Sequence, residues 1–258
     1  MYSTATGDGP PLILVHGLGS NGETWRGILP ALAVGRRVIA IDLPGHGRSP
    51  AEHDSATFDG LARSLEAFLV EQDFARADLV GSSLGGRLVL EMARRGRAGS
   101  VVALDPGGFW QGWERTFLRT TLQASGALLR GLHGMRAVMA RNPATRTMLL
   151  AQLSAHPWKL DGDTVAAELE SLATTKTFSG LVNNLATAPM QSGPAAWEDC
   201  RIAVGWGRHD RLCLPVQAAR AMAAFPNARL HWFEHSGHFP HWDEPDATVR
   251  LIRETTAG

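Results

Sequence analysis

Short apolar runs alternate with helical periodicities along this chain, and that alternation limits its fold more than any other feature. Residues 12–15, 37–41, 79–80, 101–104, 202–204 and 230–233 are β-branched or aliphatic runs bounded by Gly, Pro and Asp. Runs this short suit strands buried on both faces. Between them lie amphipathic patterns. Leu61, Leu65, Phe68 and Leu69 fall at i, i+4, i+7 and i+8, one face of a helix. Residues 84–95 form a second pattern closed by Gly96, and residues 215–225 form a third with Pro215 in its first turn. The segment after Pro245 forms a fourth, through Val249, Leu251 and Ile252. Strand–helix alternation implies an α/β class fold, a mostly parallel sheet with helices on both faces.

One stretch departs from the pattern. Residues 109–197 contain no convincing strand, yet hold four of the eight tryptophans (Trp110, Trp113, Trp158, Trp197) and Met135, Met139, Met148 and Met190. The expected division is therefore a core made of residues 1–108 and 198–258, with 109–197 as a helical insertion. The N-terminal strand at residue 12 begins so early that residues 1–9 can supply one short strand at most. The sheet is expected to be shortened at that edge, to six or seven strands.

Composition narrows the partners. The 25 basic and 25 acidic residues cancel, which suits neither nucleic acid nor an anionic membrane surface. No apolar run nears the roughly 18 residues needed to span a bilayer, and the N-terminus shows no secretory signal pattern. Cys200 and Cys213 are too few for a disulfide framework, so a reducing, cytoplasmic setting is expected.

Three motifs carry chemistry. Gly81-Ser82-Ser83-Leu84-Gly85 is a G-x-S-x-G between an apolar strand and a helix. A serine on so sharp a turn is a candidate nucleophile, with the following helix N-terminus favouring a developing anion. The bland alternative is a tight turn with Ser83 as a helix cap. His235-Ser236-Gly237-His238-Phe239-Pro240 follows the last strand and offers His238 as a general base. Gly207-Arg208-His209-Asp210-Arg211 offers Asp210 to orient the imidazole. Asp105 also ends a strand and is a rival acid, although a turn residue before Pro106 has an ordinary structural role.

Two other patterns compete. Gly17-Leu18-Gly19-Ser20-Asn21-Gly22 fits G-x-G-x-x-G, with Asp42 about 20 residues on, the spacing of a dinucleotide site. Only a short helix broken by Gly27 and Pro30 fits before the next strand, and the serine and histidine motifs would then lack a purpose. His16 and Asp42 are better read as fixing loops. His231, His235, His238 and His241 crowd together in sequence, but no recognised zinc-ligand spacing accompanies them. Neither metal nor organic cofactor is expected.

Taken together, His16-Gly17-Leu18-Gly19, residues 42–49 (DLPGHGRS), Gly81 to Gly85, Gly207 to Asp210 and Gly237-His238 resemble the motifs of the α/β-hydrolase family. The resemblance covers the chain from about Pro10 onward, apart from the insertion. It implies a nucleophile at Ser83, an acid at Asp210 and a base at His238, in the chain order of that fold. It also implies an oxyanion hole from the backbone N–H groups of Leu18 and Leu84, and a lid formed by the insertion. The implied activity is hydrolysis of a small to medium apolar carboxylic ester through an acyl-enzyme, with Trp110, Trp113, Met139 and Phe239 as pocket candidates. A lactone or a carbon–carbon bond could be cleaved by the same triad. Relatives that cleave carbon–carbon bonds usually carry Asn where Ser82 stands and Trp where Phe239 stands. A small-molecule binder without turnover is the reading from a different class. The sequence shows no oligomer.

Overall fold

The computed structural model describes residues 1–74 and 76–257. Seven strands form one sheet: β1 (Ser3–Thr6), β2 (Pro11–Val15), β3 (Arg37–Ile41), β4 (Asp78–Ser82), β5 (Ser100–Leu104), β6 (Arg201–Gly207) and β7 (Arg229–Phe233). Their spatial order is β1-β3-β2-β4-β5-β6-β7. All neighbours run parallel except β1, which pairs antiparallel with β3 through Ser3 opposite Ile41. The N-terminal edge is thus a single exposed four-residue strand.

Period-2 alternation sorts the strand residues between two layers. Ile13, Val15, Ile39, Ile41, Leu79, Val101 and Val204 face one layer, and Leu12, Leu14, Val38, Ala40, Val80 and Val102 face the other. The first layer holds α2 (Phe58–Glu71) and α3 (Leu84–Arg94), and the second holds α1 (Leu29–Leu32). Both faces of the sheet are therefore dry, and each fully buried aliphatic side chain contributes about 1.5–3 kcal/mol. Pro30 does not break the short helix before β3; it stands in the first turn of α1, where a missing N–H costs nothing.

Between β5 and β6 the chain makes five helices: α4 (Trp113–Gly131), α5 (Arg136–Arg141), α6 (Pro143–Leu150), α7 (Gly162–Thr174) and α8 (Phe178–Thr187). They carry a small core of their own around Leu129, Ala140, Leu150, Val165 and Leu169. Capping sets their starts: Asn142 accepts from Ala144 N at 2.9 Å and Asp161 from Thr164 N at 2.7 Å. After β6 come α9 (Ala218–Ala224), entered through a 3₁₀ turn at Pro215–Gln217, then α10 (Pro240–Asp243) and α11 (Pro245–Thr256). Helix α11 closes the second layer through Val249, Leu251 and Ile252.

Candidate active site

The C-terminal ends of five strands gather the chemistry-bearing side chains at one rim of the sheet, where ligands bind in open α/β sheets. Leu18 follows β2, Ser83 follows β4, Asp105 follows β5, Asp210 follows β6 and His238 follows β7. Gly17, Leu18, Ser83, Leu84 and His238 share one cavity.

Ser83 has φ +57° and ψ −113°, a conformation that side chains rarely adopt. Three bonds hold it there: its N–H donates to Leu104 O at 2.9 Å, and its carbonyl accepts from Arg87 N and Gly107 N at 3.0 Å. The turn needs the motif glycines on both sides. A Cβ at Gly81 would stand 2.2 Å from Gly85 O, and one at Gly85 would stand 2.1 Å from Val15 O. Leu84 is the first residue of α3, so its N–H has no acceptor within the helix. Leu18 lies in a tight turn closed by Ser20 N–H to Gly17 O at 3.2 Å, and its own N–H is unused among the described residues.

His238 is 1% exposed, and its Nδ1 donates to Asp210 Oδ2 at 2.7 Å. Among the described residues its Nε2 has no partner. The other Asp210 oxygen accepts from Leu212 N at 2.7 Å and Cys213 N at 3.0 Å. Asp210 is therefore fully occupied, with one oxygen on the imidazole. Asp105 does not take that place. Its Oδ1 accepts from Gly207 N at 2.8 Å, its backbone has φ +43°, and it is completely buried. Burial, followed by the facing Asp210 carboxylate, pushes the Asp105 carboxyl well above the usual carboxylate range. Its second oxygen, Oδ2, has no hydrogen-bond partner among the described residues, and nothing in the sequence displayed that Asp105 and Asp210 would face one another.

The loops around the site are tied by the residues of the two competing motifs. His16 Nε2 accepts from Leu43 N at 3.0 Å, which places its proton on Nδ1, against Gly17 O at 2.7 Å. Burial lowers this histidine to about 4, so it stays neutral. Asp42 accepts from Gly22 N at 2.7 Å and Arg48 N at 2.8 Å. The glycine-rich turn thus runs beneath the serine, with the Gly17 Cβ position 3.3 Å from Ser83 Cβ. Of the late histidines, His241 packs on Trp25 with centroids 4.5 Å apart, and His231 meets Phe233 edge-on. Asp210, Cys213 and His238 converge within metal-ligand reach of one another. Their ligand atoms are already engaged, however: His238 Nδ1 is bonded to Asp210 Oδ2, and the other Asp210 oxygen holds two backbone N–H groups.

Half of the cavity's lining residues are leucine, with Leu118, Leu122, Leu129, Leu169, Leu172 and Leu185 among them. Of the four pocket candidates, Trp110 and Phe239 line it. Trp113 does not: it is 66% exposed and packs edge-on against Phe117. Gly112, with φ +52°, caps α4 immediately before it. Met139 is half-buried on α5 and also stands away from the cavity. Four polar groups that the sequence did not single out lie in the wall: Arg87, Ser125, Gln152 and Glu168. Arg87 could have been suspected from its position one helical turn after Ser83, whereas Glu168 looks like any helix-surface charge.

Asp243 is a further residue missed by sequence reasoning. Its carboxylate accepts from Gly237 N and Ala155 N, both at 2.8 Å, while His238 N donates to Leu153 O at 2.9 Å. The loop carrying His238 is thereby fastened to residues 153–155.

A mostly parallel sheet with a strained serine turn, and with acid and histidine at successive strand ends, defines an α/β hydrolase. The chain belongs to the alpha/beta hydrolase family, whose model it matches over residues 12–251. It is 28% identical over 256 residues to a 2-hydroxy-6-oxononadienedioate/2-hydroxy-6-oxononatrienedioate hydrolase of Cupriavidus pinatubonensis, covering 93% of this chain and 84% of that one. A 2-hydroxy-6-oxo-6-phenylhexa-2,4-dienoate hydrolase of Burkholderia cepacia is 29% identical, covering 97% and 89%. Among solved structures, an esterase of Exiguobacterium antarcticum superposes with TM-score 0.81 at 16% identity, covering 100% of this chain and 95% of that one. An enol-lactonase of Burkholderia xenovorans gives 0.76 at 20%, covering 100% and 96%. Among the described residues no helix is long and apolar enough to cross a membrane.

Proposed function

We propose that the protein is a serine hydrolase acting on a small to medium carboxylic ester, without metal or organic cofactor. The observation that carries this reading is the 2.7 Å contact between His238 Nδ1 and Asp210 Oδ2. It leaves Nε2 as a lone-pair acceptor in the cavity of Ser83. Asp210 fixes the tautomer and stabilises the imidazolium that forms. His238 takes the Ser83 proton as Oγ attacks the carbonyl carbon. The oxyanion is met by the Leu18 and Leu84 N–H groups, each donor being worth a factor of about 10²–10³ in rate. The leaving alcohol collects the proton from His238, and a water activated by the same nitrogen then releases the acid.

Residues 109–197 serve as the lid, since α4, α7 and α8 supply most of the leucines opposite Ser83. Small-molecule carbonyl compounds are the substrates this wall fits, and a cytoplasmic setting suits its two unpaired cysteines. The curated relatives support a second reading, cleavage of a carbon–carbon bond next to a carbonyl by the same residues. Ser82 and Phe239 stand where such enzymes usually carry Asn and Trp, and this favours the ester. A panel of p-nitrophenyl esters, lactones and a 2-hydroxy-6-oxo dienoate separates these reactions. Hydrolysis of esters that vanishes in Ser83→Ala is the expected result. Undiminished turnover by that variant would overturn the serine assignment, and absence of turnover with tight ligand binding would favour a binder.

A further inference from the structure

The cavity holds one acidic side chain with almost nothing to bond to. Glu168 lies on α7, 5% exposed, on the same helical face as the cavity leucines Leu169 and Leu172. The Ser20 hydroxyl is its polar neighbour, but that hydroxyl donates to Asn21 O at 3.4 Å, and the Glu168 carboxyl makes no hydrogen bond among the described residues. Neither a cation nor a backbone N–H answers the carboxyl. Leaving such a group bare in an apolar wall is unfavourable, and burial accordingly pushes it up to about 7.

Its location is informative. Ser20 is two residues beyond Leu18, and the Gly19 between them packs under Leu172 and Phe178. The carboxyl therefore borders the loop that carries one of the two proposed oxyanion donors, at the carbonyl end of the cavity. The other charged group in the wall is Arg87, whose Nε donates to Gln191 Oε1 and whose Nη2 donates to Pro189 O, while Nη1 has no partner. No carboxylate is hydrogen-bonded to this guanidinium. A cationic substrate would meet Arg87, and an anionic one would meet Glu168. A neutral hydroxyl, which can donate to Glu168 and accept from Arg87, suits both.

We propose that Glu168 is a specificity residue that accepts a hydrogen bond from a hydroxyl of the substrate, close to its scissile carbonyl. Substrates of this protein are then hydroxylated esters rather than plain alkanoates. This rests on the serine-hydrolase reading and adds a requirement to it. A site built to bond a hydroxyl rejects the analogue without one far more strongly than a purely apolar wall can.

The test compares p-nitrophenyl butyrate with p-nitrophenyl 2-hydroxybutyrate and 3-hydroxybutyrate. The quantity read is the ratio of kcat/KM, hydroxylated over plain, within each protein, so that a general loss of activity cancels. Wild type is expected to favour at least one hydroxylated ester by about 10-fold or more. Glu168→Leu should bring that ratio to one or below, whereas Glu168→Gln, which keeps an acceptor oxygen, should retain part of it. A wild-type ratio near one for both esters overturns the proposal, and so does a ratio unchanged in a folded Glu168→Leu. Ser83→Ala separates the two readings. Activity that disappears there while the ratio ignores Glu168 sinks the inference alone, and activity that persists there sinks the hydrolase reading beneath it.

Discussion

Replacing Asp210 by Asn leaves the shape of the site intact and exchanges one oxygen for N–H. The amide oxygen would keep the Leu212 and Cys213 N–H groups, so the new NH₂ must point at His238 Nδ1. Facing a donor, the imidazole has to carry its proton on Nε2, where it can no longer accept one from Ser83. The expected loss is about 10³–10⁴-fold in kcat with little change in KM. The neighbouring acid should respond differently. In Asp105→Asn the amide oxygen still accepts from Gly207 N, and the new NH₂ takes the place of an oxygen that has no partner among the described residues. That variant should stay within about 10-fold of wild type, because the one hydrogen bond Asp105 makes keeps its polarity. Asp105→Leu strands the buried Gly207 N–H, costing about 1–3 kcal/mol in stability. Initial rates on p-nitrophenyl acetate, with urea midpoints for each variant, measure both quantities. If Asp105→Asn collapses while Asp210→Asn remains near wild type, the acid has been misassigned and the contact at 2.7 Å is not the working one.

Gly85→Ala would place a Cβ 2.1 Å from Val15 O and 2.6 Å from His16 O, both backbone atoms. We expect a stability loss of about 1–3 kcal/mol, with a larger loss of kcat because the displaced strand end carries Leu18; unchanged melting and rate would contradict this. Glu168, raised from 4.5 to about 7 by burial, binds more protons folded than unfolded between those values. Its contribution is neutral below about pH 4.5, grows unfavourable as pH rises to 7 and stays so above. Glu168→Gln should therefore gain on wild type by on the order of 1–3 kcal/mol at pH 8 and by much less at pH 5; equal gains in urea unfolding at both would refute it. Burial pushes Cys200 up to about 11 and Cys213 well up. Both thiols should resist iodoacetamide at pH 8 until urea is added, while a fluorophosphonate labels Ser83 in the native protein; fast native alkylation would disprove the burial.

The sequence was most readable where local chemistry and backbone shape coincide. The glycines flanking Ser83 are needed because the backbone passes within contact of itself, and such a need leaves a fixed spacing in the sequence. Strand ends were less readable. Asp78, Ser100, Arg201 and Arg229 begin their strands although they are polar, because ladder hydrogen bonds extend past the apolar run. Asp78, for example, is steadied by Arg36 at 2.6 Å. Asp105 and Asp210 face one another from two strand ends distant in sequence, so neither residue advertises the other. Within 109–197, which aromatic faces inward depends on the path of the chain into each helix, as at Gly112 with φ +52°, and composition carries no record of that path. Trp113 and Trp110 are three residues apart, yet one is 66% exposed and the other 4%. The wall turned out to be leucine because a long regular helix face fills a cavity roof more evenly than scattered indoles.

The fastening of the His238 loop to residues 153–155 has a consequence for any opening of the cavity. Lifting that stretch would break the bonds from His238 N to Leu153 O and from Ala155 N to Asp243, so a mouth opened on that side would loosen the loop that carries His238. On the proposed reading, traffic past any other edge of the roof would leave those bonds, and the histidine they steady, in place.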